Sequence, residues 1–229
     1  MRRLLFTTGS PFARAVRITL DELALDYERR EELTTPSAEA RAAASPTLQV
    51  PTLWDNDLTL WESGTIVDYL MSTYPQRPVG DPPFARHAFR PDAAWQDKLI
   101  FSTIQTFGNA ATTISQMRWT GVAVEDNAHL QRSALKLSHI LAWLEDQLGD
   151  TGTGFQPGSV SMQDIFLAAH VRFVEARPLG LDLGLDKYPK VSALLNRLDQ
   201  RDSFVANPIW WWEPGVVGYT ADGTPVFES

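Results

Sequence analysis

Apolar residues recur along this chain in two rhythms, and the rhythm changes once. Leu4-Leu5-Phe6 is a short continuous apolar run, the pattern of a buried strand. A turn follows at Thr7 to Ser10, and Pro11 suits the first helical position, where its missing N–H costs nothing. Phe12, Val16, Leu20 and Leu23 then recur at the spacing of one helix face. Asp26 to Glu31 reads as a polar, edge-like strand, and Ser37 to Ala44 as an alanine-rich helix that Ser45-Pro46 stops. Val50 to Trp54 and Leu58 to Leu60 read as strands turned through Asp55-Asn56-Asp57. Glu62-Ser63 opens a helix reaching about Thr73, with Ile66, Tyr69 and Leu70 as its apolar stripe. Residues 1 to about 75 therefore read β-α-β-α-β-β-α.

Pro75, Pro78, Gly80, Pro82 and Pro83 then break the pattern and mark a linker. Beyond them the periodicity is helical. Leu130, Ala134, Leu137, Leu141, Leu144 and Leu148 keep one face, Phe166, Ala169 and Phe173 another, and Val191, Leu194, Leu195 and Leu198 the last. Residues 206–229 change character again, with Trp210-Trp211-Trp212 among prolines and glycines. The expected organisation is a small α/β domain over 1–77, an all-helical domain over 84–205, and an aromatic tail over 206–229 laid on the helices.

Composition narrows the functions. The 229 residues are 44% hydrophobic and 21% charged, ordinary for a globular chain. A net charge of −8 argues against a nucleic-acid partner, since nothing would offset phosphate repulsion. Arginines cluster near the N-terminus (Arg2, Arg3, Arg14, Arg17, Arg29, Arg30), but carboxylates interleave with them, so the expectation is a solvated mixed surface. The absence of cysteine excludes disulfides, thiolate zinc sites and a cysteine nucleophile. His87, His129, His139 and His170 show no metal-ligand spacing, so no metal is expected. No apolar run approaches a signal-peptide core or a membrane span, and a soluble cytoplasmic location is the expectation.

Four short motifs carry candidate chemistry. Ser10 stands where a strand runs into a helix. It is a good N-cap, and its hydroxyl proton can also be donated to a ligand anion such as a thiolate, which lowers the thiol's pKa. With no cysteine in the chain, that sulfur must come from a ligand. Val50-Pro51 is either an ordinary strand start or a cis bend whose exposed main chain pairs with an extended peptide. Glu62-Ser63 is either a capped helix start, with Ser63 as the cap, or a place where free N–H groups hold a ligand carboxylate and Glu62 an ammonium. Ser161-x-x-Asp164 is a capping box whose loss should damage folding more than chemistry. The three tryptophans fit a lid over a substrate and a cover over a core face equally well.

Together these segments resemble the glutathione S-transferase family, of a serine type with zeta- or theta-like N-terminal motifs. The likeness rests on Ser10-Pro11-Phe12-Ala13-Arg14 running into Val16-Arg17-Ile18, on Ser45-Pro46-Thr47-Leu48-Gln49-Val50-Pro51-Thr52-Leu53, and on Trp61-Glu62-Ser63-Gly64-Thr65-Ile66. It covers residues 1–205. The resemblance implies a thioredoxin-like domain followed by an all-helical one, a homodimer, and glutathione as cosubstrate in conjugation of a small hydrophobic electrophile, a detoxification chemistry. It places Ser10 as the thiolate-activating residue, Val50 and Pro51 against the cysteinyl backbone, Glu62 and Ser63 at the γ-glutamyl end, and Gln49 at the glycyl carboxylate. The acceptor pocket would lie between the domains, with Phe101, Phe107, Asn109, Met117 and Trp119 as candidates. Serine rather than cysteine at position 10 argues against mixed-disulfide chemistry. Isomerisation, dehalogenation and ether cleavage start from the same thiolate, and a non-catalytic binding module is the alternative class.

Overall fold

The computed structural model describes all but residues 32–37, 75–79, 150–152, 210–215, 220–224 and 228–229. The N-terminal half-sheet has four strands, β1 (Arg3–Phe6), β2 (Glu28–Glu31), β3 (Thr52–Asp55) and β4 (Leu58–Trp61), in the order β2-β1-β3-β4. β1 and β2 run parallel, joined through α1 (Pro11–Glu22), while β3 and β4 are antiparallel to their neighbours. α2 (Ala38–Ala44) precedes β3, and α3 (Ser63–Thr73) follows β4. This is the thioredoxin-like arrangement. The polar strand lies at the sheet edge, where its charged side chains deter further pairing.

Helices follow: α4 (Ala94–Trp119), α5 (Ala128–Gln147), α6 (Met162–Glu175), a short 3-10 turn at Leu185–Lys187, α7 (Pro189–Leu198) and α8 (Asp202–Val205). In the tail, β5 (Val216–Tyr219) and β6 (Pro225–Phe227) form an antiparallel hairpin, which the sequence reading did not contain. The three tryptophans at 210–212 lie outside the described residues. No helix among those described is long and apolar enough to cross a membrane.

α6 is the centre of the helical part. Met162 through Val171 are all buried, so the helix is covered on every side. Its N-terminus is therefore buried too, and its free N–H groups need internal partners. Ser161 and Asp164 supply the capping box. The Asp164 carboxylate accepts from Ser161 N at 2.7 Å, Ser161 Oγ at 2.8 Å and Phe155 N at 3.0 Å. Burial still pushes this carboxyl up, to about 6.

α1 departs from its one-faced pattern. It packs on α3, α6 and α8, and buries Ala13, Ala15 and Ile18 besides Val16, Leu20 and Leu23 of the predicted stripe, while Phe12 is half-buried. That second burial overturns the solvated-surface reading for part of the arginine cluster. Arg14 and Arg17 are 4% and 2% exposed. The Arg17 guanidinium lies 4.9 Å over the Phe6 ring. Arg14 Nε donates to the Asn207 carbonyl at 2.7 Å, and its guanidinium sits over Phe204. Burial lowers the Arg14 pKa to about 10, so the side chain stays cationic at neutral pH. At the other end of α1, buried Glu22 accepts from Arg201 and Ser203, and Asn207 Nδ2 donates to Asp21 at 2.6 Å. These long side chains tie α1 to the end of the helical domain rather than to water.

Candidate functional site

Ser10 lies at the mouth of a cleft of about 500 Å³ between the N-terminal turn and the helical domain. The local fold explains its aim. Ser10 N donates to Thr7 O at 3.1 Å and closes the turn after β1. Ser10 Oγ accepts from Ala13 N at 3.2 Å, as an N-cap should. One lone pair is used by the cap, and the O–H remains for a partner in the cleft. Pro11 at the helix start leaves one N–H fewer to satisfy.

Val50 and Gln49 line the same cleft, next to Ser10. The Val50–Pro51 peptide is cis. An adjoining hollow of about 40 Å³ is lined by Gln49, Val50 and Pro51, and also by Glu62 and Ser63. The structure thus brings all six sequence-predicted residues to the walls of these two adjoining hollows. Phe12, Gln49, Val50 and Asn109 border both parts.

One detail of the helix start differs from the sequence reading. Ser63 is not the cap of α3 but its first helical residue, and it is buried. The cap position belongs to Glu62, held at φ 65° with no side-chain hydrogen bond to the helix. A non-glycine residue in the left-handed region costs on the order of 1 kcal/mol or more and persists where the surroundings impose it. The consequence is a helix N-terminus that no side chain caps, opening on the hollow beside an exposed carboxylate.

The acceptor side corrects the candidate set. Phe107 is fully buried in the core. Phe101 packs edge-on to Phe166 at 5.0 Å, and Met117 packs against the core. None of the three lines the cleft, whereas Asn109 and Trp119 do. With Asn109 come Thr112, Thr113 and Gln116, at spacings of three, four and seven, so one face of α4 presents a polar stripe to the cleft. That stripe was readable from the sequence, but a search for apolar pocket residues passes over it. Phe173 of α6 and Arg177, two residues past its end, also line the cleft, as do Arg41 of α2 and Gln49. Arg177 Nη2 donates to the Gly9 carbonyl at 2.7 Å across 168 residues of chain, a contact no local pattern announces.

Behind the wall, His170 is fully buried and meets the Phe12 ring edge-on at 4.6 Å. Gly108 makes room for it, because a Cβ there would come within 2.5 Å of the imidazole. Burial lowers the His170 pKa to about 3, so the ring is neutral. The unfolded chain binds this proton near 6.5 and the folded chain does not, so stability is lost as pH falls from 6.5 toward 3, by up to ~1.4 kcal/mol per unit. Asp164, raised to about 6, works in the opposite sense below that pH, since its folded form takes up a proton first. The expected result is that NMR carbon shifts of the His170 ring stay constant from about pH 8 to 5. A titration inside that range would show the ring to be hydrated.

Comparisons with known proteins bear on this geometry. Residues 4–78 match the family model of the glutathione S-transferase N-terminal domain, and residues 127–197 that of the C-terminal domain. A stretch of 69 residues is 41% identical to the glutathione S-transferase-like protein gedE of Aspergillus terreus. It spans 29% of this chain and only 30% of that protein. Among solved structures, a glutathione S-transferase of Methylobacterium radiotolerans, in complex with glutathione sulfonate, superposes with a TM-score of 0.75 at 24% identity over 93% of this chain and 96% of that one. Another from Methylobacillus flagellatus, with glutathione bound, gives 0.76 at 21% identity over 90% and 98%.

Proposed function

This chain belongs to the glutathione S-transferase family, and from that premise we propose that it is an enzyme that joins the glutathione sulfur to a small electrophile. The observation that carries the reading is that three separate motifs line two adjoining hollows: the Ser10 hydroxyl in one, the uncapped start of α3 at Glu62-Ser63 in the other, and Val50 in both. Each suits a different part of an acidic thiol tripeptide. Val50 offers main-chain groups for strand-like pairing with the cysteinyl unit. The N–H groups at Ser63 and the positive end of α3 hold the γ-glutamyl carboxylate, while Glu62 takes the ammonium. Gln49 would face the glycyl carboxylate, and Arg41 lines the same cleft. Ser10 donates its proton to the sulfur and favours thiolate over thiol. The thiolate then attacks the electrophilic carbon, which approaches from the α4 side.

A homodimer belongs to the same reading, with Trp61, Trp95 and Leu99, large apolar side chains left open to solvent, as candidates for its interface. Conjugation, isomerisation, dehalogenation and ether cleavage all begin from the same thiolate.

The test is calorimetry with glutathione followed by conjugation of a chromogenic aryl halide. Saturable heat at millimolar glutathione or below, with turnover above the uncatalysed rate, is the expected outcome. Absence of both heat and thermal shift would favour a binding module that has kept the fold alone.

A further inference from the structure

The seat of His170 is costly to the fold in two ways. The ring is fully buried, yet among the described residues its Nδ1 has no hydrogen-bond partner. Gly108 stands in the interior of α4, where alanine would favour the helix, because a Cβ there would press on the imidazole. An apolar ring of similar size would strand no nitrogen. What the imidazole adds is a donor. Its Nε2 lies 3.3 Å from Gln105 Oε1, an acceptor, so the neutral ring carries its proton there and donates it. The same ring meets Phe12 edge-on at 4.6 Å. Phe12 is the second residue of α1, two positions after Ser10, and it borders both hollows. Gln105, on α4, leads to the other end of the site. Its amide nitrogen lies 3.3 Å from where a Cβ of Gly64 would stand, and the Phe101 ring 2.7 Å from it. Gly64 follows Ser63 in the first turn of α3, and its bare backbone lets α3 rest directly on α4. Phe12, His170, Gln105 and Gly64 thus make one line of contacts from the start of α1, through the helical domain, to the start of α3.

We propose that His170 and Gln105 are positioning residues for the glutathione site: their hydrogen bond holds the start of α1, which carries Ser10, and the start of α3, which carries Ser63, at the separation that one glutathione molecule spans. The proposal rests on the transferase reading above, in which the thiol lies at the first of these helix starts and the γ-glutamyl end at the second. Both residues act through others, His170 on Phe12 and Gln105 on Gly64, and neither is among the described residues lining the hollows. A ligand gripped at two places binds best when the distance between them is already set.

The test uses the full-length protein, glutathione and two variants. The double variant His170→Phe with Gln105→Met keeps a ring against Phe12 and removes donor and acceptor together, so neither partner is stranded and its melting temperature should equal or exceed that of the wild type. Its Kd for glutathione, read by calorimetry, should nevertheless rise by about three- to tenfold, the worth of one neutral hydrogen bond. KM for glutathione should rise with it, while kcat at saturating glutathione and its pH profile stay as in the wild type, because Ser10 keeps its hydroxyl. Gln105→Met alone changes a residue that is only half-buried, and it should weaken glutathione binding by the same factor. A link that serves packing alone predicts the reverse, a double variant that melts low or one that binds glutathione as the wild type does, and either result overturns the proposal while leaving the transferase reading intact. Failure of the wild type to bind glutathione would remove the transferase reading instead. Hydrogen exchange of the free proteins then decides whether the two helix starts are held through this bond. The Ala13 and Ile66 amides, which close the first turns of α1 and α3, should exchange about three- to tenfold faster in Gln105→Met than in the wild type, and equal rates overturn the proposal.

Discussion

Replacing Ser10 with alanine should lower glutathione-conjugating kcat/KM by about 10- to 30-fold at pH 7, and the loss should shrink as pH rises past the thiol's own pKa. The size follows from the thiol. With a pKa near 8.5 it is roughly 3% ionised at pH 7, so complete ionisation raises the reactive fraction by about 30-fold. A hydrogen bond to a charged group is worth about 1.5–3 kcal/mol, enough to supply that shift. Above pH ~9 the thiol ionises unaided and the variant should approach the wild type. The cap complicates a simple reading, because Ser10 Oγ also accepts the Ala13 N–H. Losing the cap costs about 1 kcal/mol of stability, which a thermal melt reads separately. Ser10→Asp separates the two roles. Aspartate caps a helix as well as serine, so stability should hold, but its negative charge faces the sulfur and turnover should fall below that of the alanine variant. Turnover unchanged in Ser10→Ala across pH 6.5–9 would remove the serine from the chemistry.

Ser10 was legible because a strand, a turn and Pro11 put any hydroxyl there at a helix end, whatever the rest of the chain does. The sheet strands, α1, α3 and the capping box of α6 were legible for the same reason: their signals are local, in apolar spacing and in start and stop residues. What the sequence hid is what depends on distant partners. Periodicity assigned α1 a single buried face, but α6 and α8 cover further faces, and the arginines of the supposed solvent face became buried tethers. Phe101 and Phe107 have the composition expected of a pocket wall, yet which aromatic of a helix faces core or cleft is decided by the helices beside it. Arg177 has no signal at all in its own neighbourhood, because its partner Gly9 lies at the other end of the chain. At Glu62 the residues were right and the geometry was not. Both serine and glutamate suit a helix start, and only the backbone shows that the glutamate occupies the cap in a left-handed conformation without using its side chain.

Removing Glu22 should destabilise the protein more than any change at the cleft, by about 3–5 kcal/mol, because it strands a charge rather than a surface contact. The Glu22 side chain is 3% exposed and that of Arg201 12%. Arg201 Nη2 donates to Glu22 at 2.7 Å and its Nη1 to the Pro82 carbonyl at 2.7 Å, while Ser203 donates to the same carboxylate. Glu22→Ala deprives both donors of their acceptor inside the protein, where water cannot replace it cheaply. For a chain of this size the loss corresponds to a fall in Tm of roughly 10 °C or more. The double variant Glu22→Leu with Arg201→Met should fall much less than Glu22→Ala alone, since an apolar pair of similar volume leaves nothing unpaired. That comparison separates a stranded charge from a lost contact: equal melting points for the two variants would mean that packing alone holds this junction. The effect should also reach the site. Glu22 ends the helix that Ser10 begins, and Arg201 anchors that end to the loop at Pro82 and to the last helices. The Glu22→Ala protein, at a temperature where it remains folded, should therefore show a raised KM for glutathione with its pH profile unchanged, because the serine keeps its hydroxyl while the helix that aims it is less firmly held.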